Sequence, residues 1–153
     1  MPNTYTQLNI QAVFSVKRRE NIITKEFRED LFKYITGILK NHNQFPLAVN
    51  GYKDHVHIFF ELNPVFSISD IMRIVKANSS KWINDNGFVK GHFEWQKGYG
   101  AFSYSKSQRN NVINYIKKQE EHHREETFKE EYMNLLKKFD IAFNKKYIFE
   151  FYN

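Results

Sequence analysis

A β-hairpin is predicted by PLAVNGYKDHVHIFFEL, the sequence of residues 46–62. Residues 46–50 lead into a turn near Gly51, and residues 55–62 return as a strand rich in β-branched and aromatic side chains. This hairpin supplies two neighbouring strands, and the rest of the fold is arranged around it.

Apolar spacing and helix-start patterns predict the other elements. Strict alternation over residues 5–16 predicts a strand before the hairpin, and residues 93–104 predict one after it. A hydroxyl residue followed three positions later by an acidic one is typical of a helix start, and this pattern occurs at Ser67 and Thr127. With the apolar stripes, it predicts four helices, at residues 24–42, 68–84, 108–123 and 128–139.

The order of these elements is β-α-β-β-α-β with helices appended at the C-terminal end. It predicts an α+β fold of the ferredoxin-like, split βαβ type, with an antiparallel sheet. Helices then cover one face of the sheet, and we expect the other face to be free for a partner, substrate or second subunit. Without an internal repeat or a Pro/Gly-rich linker, residues 1–153 are expected to form one domain.

Composition excludes several protein classes. Apolar residues make up 41% of the chain and charged residues 26%, which is a globular balance and not that of a disordered chain. No apolar run approaches the ~20 residues of a membrane span, and the N-terminus lacks the features of a signal peptide. The chain has no cysteine, which excludes disulfides and thiol chemistry. We therefore expect a soluble intracellular protein.

The charge balance indicates a polyanionic partner. The chain has 23 basic and 17 acidic side chains, a net charge of +6, and 17% of its residues are aromatic. Basic residues follow the first strand and recur on the second helix, interleaved with aromatic ones. Such mixtures suit phosphates and stacked, unpaired bases, although a solvated basic surface has the same composition.

Two pairs of side chains could carry chemistry. His55 and His57 point to the same face of their strand, and two converging imidazoles can bind a divalent metal. Tyr115 and Gln119 lie four residues apart on a predicted helix and share one of its faces. The tyrosine hydroxyl is a possible nucleophile for phosphoryl transfer, and the amide oxygen a possible third metal ligand. The alternatives are histidines that only touch solvent and a tyrosine at the edge of the core.

The neighbouring His122 and His123 are expected to be exposed residues at a helix end and not further ligands. Motifs of other enzyme classes are absent from the sequence, including the P-loop, the G-x-G-x-x-G fingerprint, H-E-x-x-H and G-x-S-x-G. The sequence therefore gives no indication of ATP use.

Three motifs occur in the order found in a known family. They are His-hydrophobic-His at residues 55–57, KGYGAFS at residues 97–103, and Tyr-x-x-x-Gln at residues 115–119. This combination closely resembles the HUH-type single-tyrosine transposases, the IS200-like group encoded by small bacterial insertion sequences. The resemblance covers nearly the whole chain, from VFSVKRR to the ending FKEEYMNLLKKFDIAFNKKYIFE.

The resemblance implies a role for each of these residues. His55 and His57 would bind a divalent metal, Mg or Mn, and Gln119 would complete the protein side of the site. Tyr115 would attack a phosphodiester of single-stranded DNA, forming a 5′-phosphotyrosine bond and freeing a 3′-hydroxyl. Attack by another 3′-hydroxyl would rejoin strands, which is how the family excises and inserts its element without ATP. Gln11 stands where many relatives carry a histidine.

The resemblance also implies partners and a location. Family members work as homodimers in which the tyrosine helix often reaches the partner's histidine pair, so a composite active site is expected. They recognise DNA hairpins near the ends of the element. The candidates for phosphate contacts, chosen on charge, are Lys17, Arg18, Arg19, Lys76 and Lys81. A location in the bacterial cytoplasm, without a membrane partner, is expected.

Two other functions stay open. A domesticated relative would cut repetitive palindromic elements without moving itself. A non-catalytic module would bind RNA or single-stranded DNA on its sheet, and metal and Tyr115 would then be dispensable. A pure binding module has no need for the two histidines, the tyrosine and the glutamine in this arrangement, which favours the transposase.

Overall fold

The computed structural model describes residues 3–143, apart from the side chain of Arg19, so the aromatic tail at 144–153 lies outside the described residues. The described strands and α-helices are β1 (Asn9–Ser15), α1 (Lys25–Asn41), β2 (Phe45–Gly51), β3 (His55–Glu61), α2 (Ile68–Asn86), β4 (Gly100–Tyr104), α3 (Arg109–Lys117), α4 (Gln119–His122) and α5 (Phe128–Lys138). Among these helices, none combines the length and the apolar character needed to cross a membrane.

The four strands form one sheet in the order β2-β3-β1-β4, and every neighbouring pair is antiparallel. This topology confirms the predicted ferredoxin-like α+β fold with helices appended at its C-terminal end. The central strands are β1 and β3. In their register, Val13 lies opposite His57 and Ser15 opposite His55, so the histidine pair lies in the interior of the sheet.

One face of the sheet packs against α1 and α2, as predicted. The apolar residues of β3 that alternate with the histidines belong to this core. The predicted stripe of α1 is buried here as well: Phe27, Leu31, Ile35, Ile38 and Leu39. The start of α2 is also confirmed, because the hydroxyl of Ser67 accepts a hydrogen bond from the backbone N–H of Asp70 at 3.0 Å.

The opposite face of the sheet is covered, and the prediction that it would be free is wrong. Val13 and Phe102 pack against apolar residues of α5, and Phe59 packs against α3. The prediction considered only the helices of the split βαβ unit. The apolar stripes of the later helices also need a surface on which to be buried, and the sheet provides it. The ring of His55 stacks on that of Phe128 with centroids 4.0 Å apart, so the histidine pair lies beneath α5.

The strand predicted at residues 93–104 is wrong over its first half, because β4 begins only at Gly100. The backbone of Phe93 bonds instead to the Asn84 side chain on α2. Its N–H donates to Oδ1 at 2.8 Å and its carbonyl accepts from Nδ2 at 3.0 Å. Lys76, on the same helix, donates to two further carbonyls of this segment. These backbone groups therefore have partners on α2, and the segment keeps only a single antiparallel bridge to the end of β1, between Val16 and Trp95.

The helix predicted over residues 108–123 is broken at Lys118, between α3 and α4. The side chain of Asn50 on β2 accounts for the break. Its Nδ2 donates to the carbonyl oxygens of Ile116 at 2.9 Å and Lys117 at 3.1 Å. A continuing helix would use these carbonyls for its own N–H groups, and a competing donor ends it here.

Gly51→Ala is expected to destabilise the fold. A Cβ at Gly51 would lie 2.2 Å from the backbone carbonyl oxygen of His55, across the tight turn of the hairpin. Overpacking of this kind lowers the free energy of unfolding by about 1–3 kcal/mol, which urea denaturation followed by circular dichroism would measure.

Gly37→Ala, in α1, is the matched control. The added Cβ meets no atom within 4 Å, and alanine is favoured over glycine inside a helix by roughly 0.5–1 kcal/mol. The same substitution should therefore destabilise one site and stabilise the other. A Gly51→Ala variant as stable as the parent protein would contradict the close approach.

Candidate active site

Three parts of the chain bring polar side chains together beneath α5. β3 contributes His55 and His57, the broken helix α3–α4 contributes Tyr115 and Gln119, and α5 contributes Glu131. Tyr115 is partly buried and the other four are buried. The predicted ligands and the predicted nucleophile therefore converge on one site, and the alternative of histidines that only touch solvent is excluded.

Glu131 lies at the centre of this site. Its Oε1 is 3.1 Å from Nε2 of His57 and 3.4 Å from Nε2 of His55. Its Oε2 accepts hydrogen bonds from the hydroxyl of Tyr115 and from Nε2 of Gln119, the latter at 3.0 Å. One carboxylate thus contacts both histidines and both members of the Tyr-x-x-x-Gln pair.

The sequence analysis did not identify Glu131, although the sequence contains a pattern that indicates this residue. The predicted capping box of Thr127 and Glu130 is present and fixes the start of α5. From that start, Phe128, Glu131 and Leu135 recur at the spacing of a buried stripe, and all three are buried. An acidic residue within an apolar stripe indicates a buried charge, which needs partners.

The structure also corrects the expectation that His122 and His123 are exposed. His123 Nε2 donates to Glu131 Oε1 at 3.0 Å, and Nδ1 donates to the backbone carbonyl of Glu126 at 2.7 Å. The ring of His122 packs on that of Tyr115 with centroids 4.7 Å apart. The expectation assumed one helix through residue 123, whereas α4 ends at His122 and the chain turns toward α5.

Carboxylates set the charge of His55. Its Nδ1 donates to Asp54 Oδ1 at 2.8 Å, and its Nε2 donates to Gln119 Oε1 at 2.9 Å. Burial lowers the pKa of His55, but the hydrogen bonds and charges of Asp54 and Glu131 outweigh burial and raise it to about 9. Both ring nitrogens therefore carry protons at neutral pH. A metal that binds Nε2 must displace its proton, because a ligand needs a free lone pair.

Gln11 and Tyr104 hold His57 from the side opposite Glu131. The amide Nε2 of Gln11 donates to His57 Nδ1 at 3.0 Å, and the hydroxyl of Tyr104 donates to Gln11 Oε1 at 2.7 Å. Burial lowers the pKa of His57, and its Nε2 points at the carboxylate. Gln11 thus contacts His57, a role that the sequence alone did not indicate.

Tyr115 is held in its protonated form. Burial raises the pKa of its hydroxyl, and the negative charge of Glu131 raises it further. Burial would also raise the pKa of Glu131, but the surrounding imidazoles hold it well below its usual range. The carboxylate is therefore ionised. Removing the Tyr115 proton would place two negative charges side by side unless a cation balances them.

The donor set fits a divalent cation. His55, His57 and Glu131 each offer a ligand atom, and these atoms lie within 4.8 Å of one another. The amide oxygen of Gln119 points at the same place, 2.9 Å from His55 Nε2. Imidazole nitrogens suit transition metals, whereas carboxylate and amide oxygens suit Mg and Mn. The mixture is compatible with a divalent metal ion.

Three of the basic residues predicted to contact phosphates line one open groove beside α2: Lys17, Lys76 and Lys81. Lys76 is half-buried and its two backbone hydrogen bonds hold the segment before β4. Lys17 and Lys81 are exposed and pair with acidic neighbours, and a phosphate could replace those weak surface contacts. Arg18 lies in a 3₁₀ turn after β1, where Arg19 also belongs. Their role in DNA binding stays a prediction.

Known proteins share both the sequence pattern and the fold. A family model described as "Transposase IS200 like" matches residues 4–119. A protein of Deinococcus radiodurans R1 assigned as a transposase is 20% identical, with a TM-score of 0.63 over 76% of this chain and 94% of its own. A REP-associated tyrosine transposase bound to a REP hairpin is 14% identical, with a TM-score of 0.57 over 79% of this chain and 72% of its own. At these identities the two structures show the fold alone. The comparison with curated proteins gave no match.

The residues that the family model matches include four side chains of the site but not Glu131. The match covers His55, His57, Tyr115 and Gln119, which is its last matched residue. Glu131 lies beyond it, on a C-terminal helix. The central carboxylate is thus contributed by a segment outside the residues that the family model matches.

Glu131→Ala is expected to lower the free energy of unfolding of the metal-free protein by about 3–5 kcal/mol. The substitution leaves the buried rings of His55, His57 and His123 facing a site without its carboxylate. Urea denaturation in the presence of EDTA measures the effect. Glu121→Ala removes an exposed carboxylate of α4 and is the control, with an expected change within about 0.5 kcal/mol. Equal stability of the two variants would contradict the central place of Glu131.

Proposed function

This chain belongs to the IS200-like transposase family, and we therefore propose that it cleaves and rejoins single-stranded DNA in a metal-dependent reaction through a covalent bond to Tyr115. The observation that carries the proposal is the carboxylate of Glu131, which contacts the tyrosine hydroxyl and the histidine pair at once. Nucleophile and ligands thereby share one site. The same reaction would excise and insert an insertion sequence.

In the proposed reaction, the phenolic oxygen of Tyr115 forms a bond to phosphorus and gives up its proton, for which Glu131 Oε2 is the acceptor already in contact with the hydroxyl. The bond from phosphorus to the 3′-oxygen breaks, and that oxygen leaves as a 3′-hydroxyl after gaining a proton. The hydrogen bond to Glu131 fixes the orientation of the tyrosine hydroxyl before the attack. One phosphoester replaces another, so rejoining needs no nucleotide, which agrees with the absence of a P-loop sequence.

His55 and His57 would hold the metal, Mg or Mn, with Gln119 as the third ligand that the resemblance implies. Glu131 is placed to be a further, anionic ligand. A cation bound there neutralises charge on the scissile phosphate and helps to orient it. The chain's own residues orient the ligands, because Asp54 holds the His55 ring from its far side.

We propose that Tyr115 attacks DNA at the histidine pair of its own chain. The rings of Tyr115 and His57 have centroids 6.0 Å apart within one chain. A partner's tyrosine is therefore not needed to complete the site. The homodimer that the resemblance implies stays a prediction, and composite sites, in which the tyrosine reaches the partner's histidine pair, are the alternative to this proposal.

A second candidate is a relative that cuts repetitive palindromic elements without moving itself. It is favoured by the likeness to the REP-associated tyrosine transposase, which was solved with a REP hairpin. The DNA around the gene discriminates between the two. Paired element ends favour a mobile transposase, whereas palindromes scattered through the genome favour the second candidate. In both cases a DNA hairpin is the proposed partner, with Lys17 and Lys81 as candidate phosphate contacts.

Covalent trapping tests the nucleophile. Single-stranded oligonucleotides from the flanks of the gene are incubated with the protein and Mg²⁺ or Mn²⁺, then run on a denaturing gel. We expect a shifted protein–DNA band that is lost with EDTA and with Tyr115→Phe, while Tyr115→Phe keeps its affinity for DNA because only a hydroxyl is removed.

Tyr34→Phe is the matched control, because Tyr34 lies on α1 and stacks on Trp82. It should form the adduct like the parent protein. An adduct formed by Tyr115→Phe would show that another residue attacks the phosphate. DNA binding that is unaffected by EDTA, without any adduct, would favour the non-catalytic binding module.

His57→Ala is expected to weaken Mn²⁺ binding and to abolish metal-dependent cleavage. Loss of a ligand should lower the affinity by more than the ~10–100-fold typical of losing a residue that only supports a ligand. Isothermal titration with MnCl₂ measures the affinity without DNA. His42→Ala, at the end of α1, is the control and should bind Mn²⁺ like the parent. An unchanged titration for His57→Ala would refute the assignment of this ligand.

A further inference from the structure

A cavity of about 290 Å³ opens beside Tyr115, between α3 and α5. Its lining shares Tyr115, Gln11 and Glu131 with the active site. The other residues that matter here are an aromatic ring, two apolar side chains, two amides and a cation: Tyr104, Val112, Leu135, Asn111, Asn134 and Lys138. The reaction proposed above uses none of these six.

The size and lining of the cavity suit one planar, polar ring. Its volume lies at the lower end of the roughly 300–1,000 Å³ found for small-molecule sites, too small for a DNA helix. An aromatic ring such as Tyr104 offers a surface on which an unpaired base can stack. Asparagine side chains pair with the hydrogen-bonding edges of bases.

The polar groups of the cavity are accessible to a ligand. Asn111 and Asn134 are exposed. The amide of Asn134 donates to the Glu126 carboxylate at 3.1 Å, a contact at the surface that a ligand could replace. The ammonium group of Lys138 lies over the Tyr104 ring, 5.6 Å from its centroid; a stacked base would take its place on the ring, and the displaced ammonium group could pair with the phosphate. A base and its attached phosphate would therefore both find partners here.

We propose that this cavity binds an unpaired nucleobase of the nucleotide next to the phosphate that Tyr115 attacks, and that Asn111 and Asn134 read its edge. The inference rests on the proposed function, since it takes the strand at Tyr115 to be DNA. A strand whose phosphate reaches the Tyr115 hydroxyl must place a neighbouring nucleoside beside it, and Tyr115 is part of the cavity wall. A base enters such a pocket only when it is unpaired, which selects single strands.

The test is a binding selection with the Tyr115→Phe protein, which does not need the chemical step. The probe is a pool of short single-stranded DNA oligonucleotides with a randomised centre. We expect enrichment of particular bases at one position, and we expect Asn111→Leu or Asn134→Leu to remove that preference and leave the others. Affinity for the selected sequence should fall about tenfold, within the range for losing one base contact.

Asn110→Leu is the matched control, because Asn110 is exposed on the same helix and does not line the cavity. It should leave the selected sequence unchanged. A second measurement needs no further protein variant: an abasic site at the selected position should weaken binding to the Tyr115→Phe protein about tenfold.

Three results would overturn the proposal. They are an unchanged preference in both asparagine variants, equal binding of the abasic oligonucleotide, and a pool without enrichment at any position. Failure of the proposed function gives a different result. The wild-type protein, given the selected oligonucleotide and Mn²⁺, would then form no covalent adduct although the base preference is present.

Discussion

The carboxylate of Glu131 joins the sheet, the tyrosine helix and the C-terminal helix in one set of contacts. Its oxygens bond His57 on β3, Tyr115 on α3 and Gln119 on α4. A buried carboxylate is costly unless it is paired, so these partners favour the docking of α5 on the sheet. Docking of α5 in turn buries the histidines. The packing of the C-terminal part and the geometry of the site therefore depend on each other.

The sequence predicts the fold well where the signal is local. Alternation along β3 gives the shared face of the two histidines, and the hydroxyl caps place the starts of α2 and α5. The predictions that failed depend on side chains from distant elements. Asn84 and Lys76 bind backbone groups of the segment before β4 from α2, so that only a single bridge to the end of β1 forms there, and Asn50 of β2 ends α3. No periodicity within a segment reveals a donor that folding brings from elsewhere.

The sequence predicted the two histidines, the tyrosine and the glutamine of the candidate site, but not Glu131, the carboxylate at its centre. The family match over residues 4–119 confirms the resemblance, which rested on the order of three motifs. Sequence spacing alone could not join His55 to Gln119, because 64 residues separate them and only the tertiary fold brings them to 2.9 Å. To predict Glu131 from the sequence, one would have to infer first that α5 covers the sheet, and then that the buried stripe of α5 passes over the histidines. Because we expected this face of the sheet to be free, the position of the α5 stripe over the histidines could not be inferred.

The charged side chains of the site give a reason for the proposed metal requirement, in addition to the negative charge of the DNA. Glu131 is ionised, and His55 carries a proton that balances part of the negative charge of Glu131 and Asp54. A phosphodiester would add one more negative charge to this site, beside a tyrosine whose pKa burial raises. If a divalent cation took the place of the His55 proton, the charge of the site would rise by one unit, which would offset the single negative charge of a phosphodiester. In the proposed mechanism, the carboxylate that keeps Tyr115 protonated would thus disfavour phosphate binding until a cation is bound, which would couple the two ligands.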